Sequence, residues 1–392
     1  MTNSLTSTKI KADREVLIER LKKAVKFITT PSVVPAMEDF LINVSNGTME
    51  IVGQDSQCQV KVYCPVKATG DISICVPAKL FVKTIDLLRE NEVLLTCKGN
   101  KVEIKCGKSK YNITISHEAN EHPVMVMGNE GAFSTFSMSQ KHMKMGIKLS
   151  EKFIDGDVKG IAANINGINV NLVDNRMVFT GLDGFNLGRF NISPLGVNSW
   201  NGNFVIPGDV TNKVASLLND TDEVTVSHNG EKMIIYSNEE YHKFEVITTA
   251  LVMKFPDTER LLSKRGVNCV EINTNEFRDA IMRLRLYTTK SDSDKRIIMT
   301  INEANPSEIH MRSVDRDMER DGEEVMTVVN KNSFLTIKGF NSDFLLSIIS
   351  CIDTDNFLMY LSEDNRIPVF IQPAVYEREN NFDFMTGTTS VD

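Results

Sequence analysis

The sequence predicts an α+β protein made of three tandem domains of one design, each with two helices laid on β-sheets. Three observations predict it: the length, a threefold recurrence of helix and turn signals, and the gathering of basic residues onto helices. The chain has 392 residues, too many for one ordinary core and suited to two or three. Hydrophobic residues make up 41%, within the range of globular proteins in water. No run of about 18 or more apolar residues is present, so no helical membrane span is expected. Met1 to Lys9 is polar and lacks the apolar stretch of a secretory signal, so it is read as a frayed end.

Four signals recur in the same order at a period of roughly 130 residues, the size of one domain. An amphipathic helix opens each third, over about Asp13 to Ile28, Gln140 to Ile154 and Asn275 to Thr288. Its apolar residues fall at helical spacing: Leu17, Leu21, Ala24 and Ile28; Met143, Ile147 and Ile154; Phe277, Ile281 and Leu284. A strand, a turn and a second strand then lead to an aspartate. The turns are Asn46-Gly47, Asp174-Asn175 and Asn305-Pro306, and the aspartates are Asp55, Asp183 and Asp315. A second helix is expected over Pro77 to Leu88, Pro207 to Leu218 and Lys338 to Ile349. Proline suits the first two starts, because an N–H there would find no helical partner. A hairpin closes each third, with turns at Lys98-Gly99-Asn100, His228-Asn229-Gly230 and Glu363-Asp364-Asn365. The expected domains are residues 1–130, 131–263 and 264–392, the last with a C-terminal tail over about 377–392. The plainer alternative is a single β-rich fold with coincidental spacing.

The seven cysteines contain no CxxC pair and are odd in number. That disfavours a zinc site and a disulfide framework, and it points to a reducing cytoplasm. The formal net charge is −8, which taken whole argues against nucleic acid. The charge is segregated, however. Lys141, Lys144, Lys148 and Lys152 share one helix face, opposite Met143, Ile147 and Ile154. Lys22, Lys23 and Lys26 lie off the apolar face of the first helix, Lys79 and Lys83 sit on the next, and Arg278, Arg283 and Arg285 on the helix Asn275 to Thr288. Acid gathers in turns and strands, as in Asp220 to Glu223, Glu239-Glu240 and Asp315 to Glu324. Helices that meet phosphates while sheets face solvent would carry charge in this way. The ordinary alternative is a solvated lysine face. Contacts of this kind would go to the DNA backbone, without base readout.

Enzyme signatures fail. Gly107-Lys108-Ser109 resembles the end of a nucleotide-binding loop, but the glycine needed five positions earlier is Val102. Neither GxSxG nor HExxH occurs, and the six histidines show no ligand spacing. Asp55, Asp183 and Asp315 could suggest a carboxylate site, but their repeated position suggests a turn cap used three times. No cofactor, no metal and no catalytic residue are expected.

Several segments carry a resemblance to a known family. Val52-Gly53-Gln54-Asp55, Leu182-Asp183-Gly184-Phe185-Asn186-Leu187, Phe255-Pro256-Asp257 with Arg260-Leu261, and Phe370-Ile371-Gln372-Pro373-Ala374 are similar to segments of the beta subunit of bacterial DNA polymerase III, the sliding clamp. The resemblance covers about Lys11 to Tyr376. It implies a head-to-tail homodimer, a ring of six similar domains that encircles double-stranded DNA and tethers the polymerase after a separate clamp loader has placed it. It implies that the basic helices line the hole. It implies a subunit interface in which Met282 and Leu286 meet the partner's strand around Tyr111 and Ile113. It also implies a pocket for short peptides of replication and repair proteins. Position by position that pocket is Ile165, Leu182, Gly184, Phe185, Asn186, Leu187, Pro256, Arg260, Leu261, Phe370, Gln372, Pro373 and Ala374. Phe185 and Asn186 stand where the family has histidine and arginine, and Gln372 and Ala374 replace two methionines. A peptide preference different from the family's is therefore expected. The rival from another class is a repeat-built cytosolic scaffold that binds protein without encircling DNA.

Overall fold

The structure, a computed structural model, describes residues 7–128, 133–154, 165–194, 196–199, 203–239, 242–249, 251, 254–288, 295–315, 318–330, 334–364, 366–374 and 380–389. Its element order repeats. The first series is β1 (Thr8–Asp13), α1 (Arg14–Ala24), β2 (Asp39–Ser45), β3 (Thr48–Gln54), β4 (Cys58–Ala68), β5 (Ile72–Pro77), α2 (Ala78–Asp86), β6 (Glu92–Lys98), β7 (Lys101–Cys106) and β8 (Ser109–Thr114). The second is β9 (Ser134–Ser139), α3 (Gln140–Ser150), β10 (Gly167–Val173), β11 (Arg176–Leu182), β12 (Asn186–Ile192), β13 (Gly196–Ser199), β14 (Phe204–Pro207), α4 (Gly208–Ala215), β15 (Glu223–His228), β16 (Lys232–Ser237) and β17 (Phe244–Thr249), followed by a short helix α5 (Thr258–Leu262). The third is β18 (Asn268–Asn273), α6 (Thr274–Arg285), β19 (Arg296–Asn302), β20 (Asn305–Asp315), β21 (Arg320–Thr327), β22 (Val329–Asn330), β23 (Thr336–Asn341), α7 (Ser342–Ile349), β24 (Asn356–Leu361), β25 (Val369–Pro373) and β26 (Asn380–Thr386).

By contact density the chain divides into two units, Met1–Lys144 with Pro194–Ala250, and Met145–Ser193 with Leu251–Asp392. In the first unit the sheet runs β13-β9-β15-β16-β17-β4-β1-β6-β7-β8, with β2, β3 and β5 branching beside β4. Its long shared strand is β4: Cys58 to Val62 pairs with β17, while the same strand pairs with β3 and then β1. In the second unit one sheet runs β10-β11-β12-β26-β25-β24-β18-β22, and a separate four-stranded sheet runs β21-β20-β19-β23. Strand alternation supplies the inner faces: Met233 and Ile235 of β16 point in, as do Phe357, Met359 and Leu361 of β24. Among the described residues no helix is long and apolar enough to cross a membrane.

The opening helices begin where side chains cap them. Asp13 Oδ1 accepts from the amides of Glu15 and Val16, and Asn273 Oδ1 from those of Asn275 and Glu276. Each satisfies two amides that the first turn leaves unpaired. The first helical amide is used alike three times: Arg14, Gln140 and Thr274 donate to the carbonyls of Asn91, Asp222 and Asp355 at 2.7, 2.8 and 2.8 Å. One long-range bond thus ties each opening helix to the residue just before β6, β15 or β24.

The far end of each opening helix is seated on a small residue two places before the recurring aspartate. A Cβ on Gly53 would lie 2.5 Å from the Ala24 carbonyl oxygen, and one on Gly181 2.1 Å from that of Ser150. In the third series Ser313 occupies this place, and its Oγ donates to the Leu284 carbonyl at 2.9 Å. Two glycines make room for a helix carbonyl, and the serine bonds to it.

The aspartates cap turns, as their spacing suggested. Asp55 Oδ1 accepts from the Gln57 and Cys58 amides, Asp183 Oδ1 from those of Phe185 and Asn186, and Asp315 Oδ1 from that of Met318. The hairpins at Asn46-Gly47 and Asp174-Asn175 have positive φ at both residues, which matches the twist of tight two-residue turns.

Three expectations need correction. The third-series turn is Glu303-Ala304; Asn305-Pro306 already begins β20, and Asn302 Oδ1 accepts from the Ala304 amide to form the turn. Lys338 to Asn341 belong to β23, and α7 starts only at Ser342 behind an Asn341 cap, because apolar alternation in the strand resembles helical spacing over so short a run. The stretch expected as a tail contains strand β26, hydrogen-bonded between β12 and β25; of its acids, Glu377 and Glu379 lie outside the described residues.

Gly53→Ala and Gly181→Ala should each destabilise the protein by about 1–3 kcal/mol, the usual cost of overpacking. Gly70→Ala, with nothing within 4 Å of the added carbon, should stay within about 0.5 kcal/mol. Urea unfolding followed by circular dichroism checks this, and equal losses at all three positions would refute the seating role.

Candidate DNA-facing helices and peptide-docking face

The basic residues predicted to meet DNA divide by their partners. Lys22 pairs with Asp86 of α2 at 2.6 Å, Lys23 with Glu19 at 2.9 Å, Lys144 with Asp220 at 3.3 Å and Lys148 with Glu151 at 3.4 Å. Lys152 donates to Ser350 Oγ at 2.8 Å, and Arg278 to Asn275 Oδ1 and the Ile349 carbonyl. Lys26, Lys79, Lys83 and Lys141 are exposed and have no carboxylate within salt-bridge distance among the described residues. Exposed pairs of this kind contribute little, ~0–1 kcal/mol, so a lysine can exchange a carboxylate for a phosphate at small cost. Arg283 differs. It grips Glu324 of β21 with two bonds of 2.6 and 3.0 Å, the geometry of a strong fork, so its guanidinium is committed to that carboxylate although the side chain is exposed. Arg285 is paired with Asp343 at 2.6 Å.

Met143 and Ile147 are buried on the opposite side of α3 from its lysines, as the helical spacing required. Gly146 lets that apolar side lie against the Phe179 ring; an added Cβ there would be 2.9 Å from it. The lysine face is thus fixed by the packing behind it.

The proposed interface residues are unequal. Met282 and Leu286 stand out from α6, 55% and 74% exposed, and Tyr111 of β8 is also exposed. Ile113 is not: it is buried in its own unit against Val102, its directly paired neighbour in β7. Its side chain cannot serve as a contact surface, and the expectation for it is corrected. Among the described residues β8 ends its sheet and β21 ends another, so each has one edge with no strand paired to it. β8 and its turn carry Lys108 and Lys110, while β21 carries Asp321, Glu323 and Glu324.

The thirteen pocket residues all belong to the second unit, yet they do not form one open cavity. Phe185 is exposed, on a loop that Gly184 turns with a φ of 94°. Arg260 is also exposed, within α5, whose N-terminus Asp257 caps by accepting from the Arg260 amide. Ile165, Leu182, Asn186 and Pro373 are buried, and Leu187 and Phe370 are only 0% and 2% exposed. Pro256, Leu261, Gln372 and Ala374 are half-buried. Met385 of β26 lies between Leu187 and Phe370, directly paired with each. The space left beside them is about 170 Å³, lined by Arg189, Leu262, Arg265, Phe370, Gln372, Asp383 and Phe384, below the several hundred Å³ usual for a ligand pocket. Arg189 pairs with Glu259 at 2.7 Å, and Arg265 stacks over Tyr360 and donates to Gln372 Oε1. Arg189, Arg265 and Asp383 were missed in the sequence. Only the alternating Phe382-Asp383-Phe384-Met385-Thr386 signalled the strand.

No catalytic geometry emerges from the aspartates, since all three serve turns. Among the described residues no three His, Cys, Asp or Glu side chains are grouped to hold a metal ion. Burial pushes the Cys58 thiol up to about 12, which makes it a poor nucleophile.

Comparison with known proteins gives a consistent result. The family model described as the DNA polymerase III beta subunit, N-terminal domain, matches residues 8–126, and that of the C-terminal domain matches residues 259–382. A beta sliding clamp of Staphylococcus epidermidis is 22% identical over 87% of this chain and 89% of its own. That of Pseudomonas putida is 22% identical over 90% and 92%. Among solved structures, a DNA polymerase sliding clamp from Bacillus subtilis superposes with a TM-score of 0.89 at 16% identity, covering 99% of this chain and 100% of its own. A Pseudomonas aeruginosa DnaN sliding clamp bound to griselimycin gives 0.88 at 18% identity, covering 98% and 100%.

One ion pair in the first unit invites a direct test. Asp55 Oδ2 accepts from Lys213 Nζ of α4. Burial alone would raise the Asp55 pKa, but the Lys213 bond and the Gln57 and Cys58 amides outweigh it and hold the carboxyl below its ordinary 3.8. A depressed folded pKa gives stability that is complete above the unfolded value and is lost as pH falls through the folded one. Asp55→Asn should therefore cost about 3 kcal/mol at neutral pH, and it should flatten the loss of stability below about pH 4. Denaturant midpoints measured across that range check it; parallel acid limbs would refute the pairing.

Proposed function

This chain belongs to the DNA polymerase III beta subunit family, and from that premise we propose that it works as a non-catalytic DNA sliding clamp. In this proposal three domains of one design, at residues 1–130, 131–263 and 264–392, combine in a head-to-tail homodimer that closes a ring around double-stranded DNA. The observation that carries the proposal is the basic face of the opening helices, fixed by the same carbonyl seat and the same first-turn bond in each series of an otherwise acidic chain. Lys26, Lys79, Lys83 and Lys141 hold phosphates without base contacts, and Lys22, Lys23, Lys144, Lys148 and Lys152 join them by exchanging partners. Loose phosphate contacts permit sliding, and the closed ring prevents release. The polymerase catalytic subunit, the loader and other proteins with clamp-binding peptides dock on the face around Phe185, Arg260 and Leu261, where tethering raises local concentration and hence processivity.

Ring closure in this proposal uses two copies of one heterologous contact. Met282 and Leu286 cover Tyr111 of the partner, and the edge of β8, flanked by lysines, adds to the acidic edge of β21. The sign of the charge favours this pairing over β8 with β8 or β21 with β21. A reducing cytoplasm suits the seven cysteines, all of which are free thiols.

Retention on DNA tests the ring. Loaded onto nicked circular DNA, the protein should co-elute with it in gel filtration and be released when the circle is linearised. Lys26→Glu, Lys79→Glu, Lys83→Glu and Lys141→Glu together should cut retention about tenfold or more, in a salt-dependent way. Retention that survives linearisation would refute encirclement, and a protein that never stays on the circle would favour the scaffold. Met282→Asp with Leu286→Asp should weaken dimerisation by at least about 30-fold in sedimentation equilibrium; an unchanged dimer would move the interface elsewhere.

A further inference from the structure

The docking face contains a strand that the chain supplies to itself. β26 runs antiparallel to β12 through seven paired residues, Asn186↔Thr386 to Ile192↔Asn380, and antiparallel to β25 through three, Val369↔Thr386 to Ile371↔Phe384. β12 and β25 are therefore parallel to each other, held roughly 10 Å apart, two strand spacings, by the strand between them. Directly paired residues share a face of the sheet. On one face, Phe384 lies against Phe153 and Phe190 with ring centroids at 5.6 and 5.7 Å. On the other, Met385 and Asp383 sit between Leu187 and Arg189 of β12 and Phe370 and Gln372 of β25.

The fit is specific along the strand. Gln372 Nε2 donates to Asp383 Oδ1 at 2.6 Å and Asn191 Nδ2 to Asp383 Oδ2 at 3.4 Å. Thr386 Oγ1 donates to Asn186 Oδ1 at 2.8 Å, and the Gly387 amide to the Phe185 carbonyl at 2.8 Å. Asn186 and Gln372, two of the positions where this chain departs from the family's residues, are thus the polar groups that read the strand. Leu187 and Phe370, apolar walls of the proposed pocket, flank its Met385, which is directly paired with each.

We propose that Asn380–Thr386 is a built-in occupant of a strand-addition slot between β12 and β25, and that partner proteins dock by displacing it with an extended segment of the same chemistry. That chemistry is aromatic, acidic, aromatic, in alternation: one face fills the Phe153–Phe190 hollow, and the carboxylate between meets Gln372 and Asn191. Backbone pairing to both edges supplies affinity, and the alternate side chains supply selectivity. The idea rests on the docking role proposed above, and adds that the slot is closed until β26 leaves. Apparent affinity for any partner is then reduced by the fraction of chains whose slot is open.

The test uses the full chain and a fluorescent octapeptide of its own residues 380–387. Hydrogen exchange should show the amides of β26 opening together faster than those of β11, which lies one strand further from the slot. Asp383→Ala removes the two side-chain bonds to the strand while leaving its aromatic residues, so it should raise the open fraction and tighten octapeptide binding about tenfold. An octapeptide with alanine at the Asp383 position should lose that gain. Exchange of β26 only with global unfolding would overturn the proposal, because the strand would then be a fixed part of the fold. Independent opening with no octapeptide binding to the wild type or Asp383→Ala would also overturn it. Neither result touches retention on circular DNA, which tests the clamp function separately.

Discussion

The seat of each opening helix on its strand is the constraint on which the rest depends. At residues 53 and 181 a helix carbonyl approaches so closely that a Cβ would clash with it, and at residue 313 a serine hydroxyl bonds the carbonyl instead. At the other end, one backbone bond ties the first helical amide to the residue before β6, β15 or β24. A helix held at both ends cannot roll about its axis. Its apolar side is then committed to the sheet, and the lysines on the opposite side are committed to whatever lies beyond. The direction of the basic faces is thus decided by groups that carry no charge.

The charge balance follows from the same geometry. A net charge of −8 would repel DNA if it were spread evenly. Here acid is placed on strands and turns such as β21, and base on helices, so the local field near a helix face differs in sign from the far field. Several acids also hold lysines in weak exposed pairs. Such pairs keep the basic faces from repelling themselves in the absence of phosphate and give way readily in its presence.

Much of this was legible in the sequence, and the failures have physical causes. The opening helices, the tight Asn-Gly and Asp-Asn turns and the capping aspartates were visible because each depends on local chemistry: helical spacing, positive φ, a carboxylate facing two amides. The start of α7 was missed because six alternating residues before it satisfy either period. Ile113 was assigned to the interface with the rest of its strand by resemblance, which does not distinguish the two faces of a strand; its pairing with Val102 places its side chain inside. The docking face was the least legible. Its residues were located by resemblance, but what fills the slot is decided by a strand joined to β12 across some two hundred positions, as in the bond from Thr386 to Asn186, and no local pattern encodes that.

That separation bears on how the protein is made. During synthesis β12 leaves the ribosome long before the strand that completes its sheet, and until then one of its edges carries open N–H and C=O groups beside Leu187 and Phe190. Contacts this distant in sequence close late and slowly, and an unpaired apolar edge is a template for association with other chains. The second unit therefore reaches its final sheet only after residues 380–386 have emerged, so a chain cut short before them would be folded in most of its elements yet adhesive along β12.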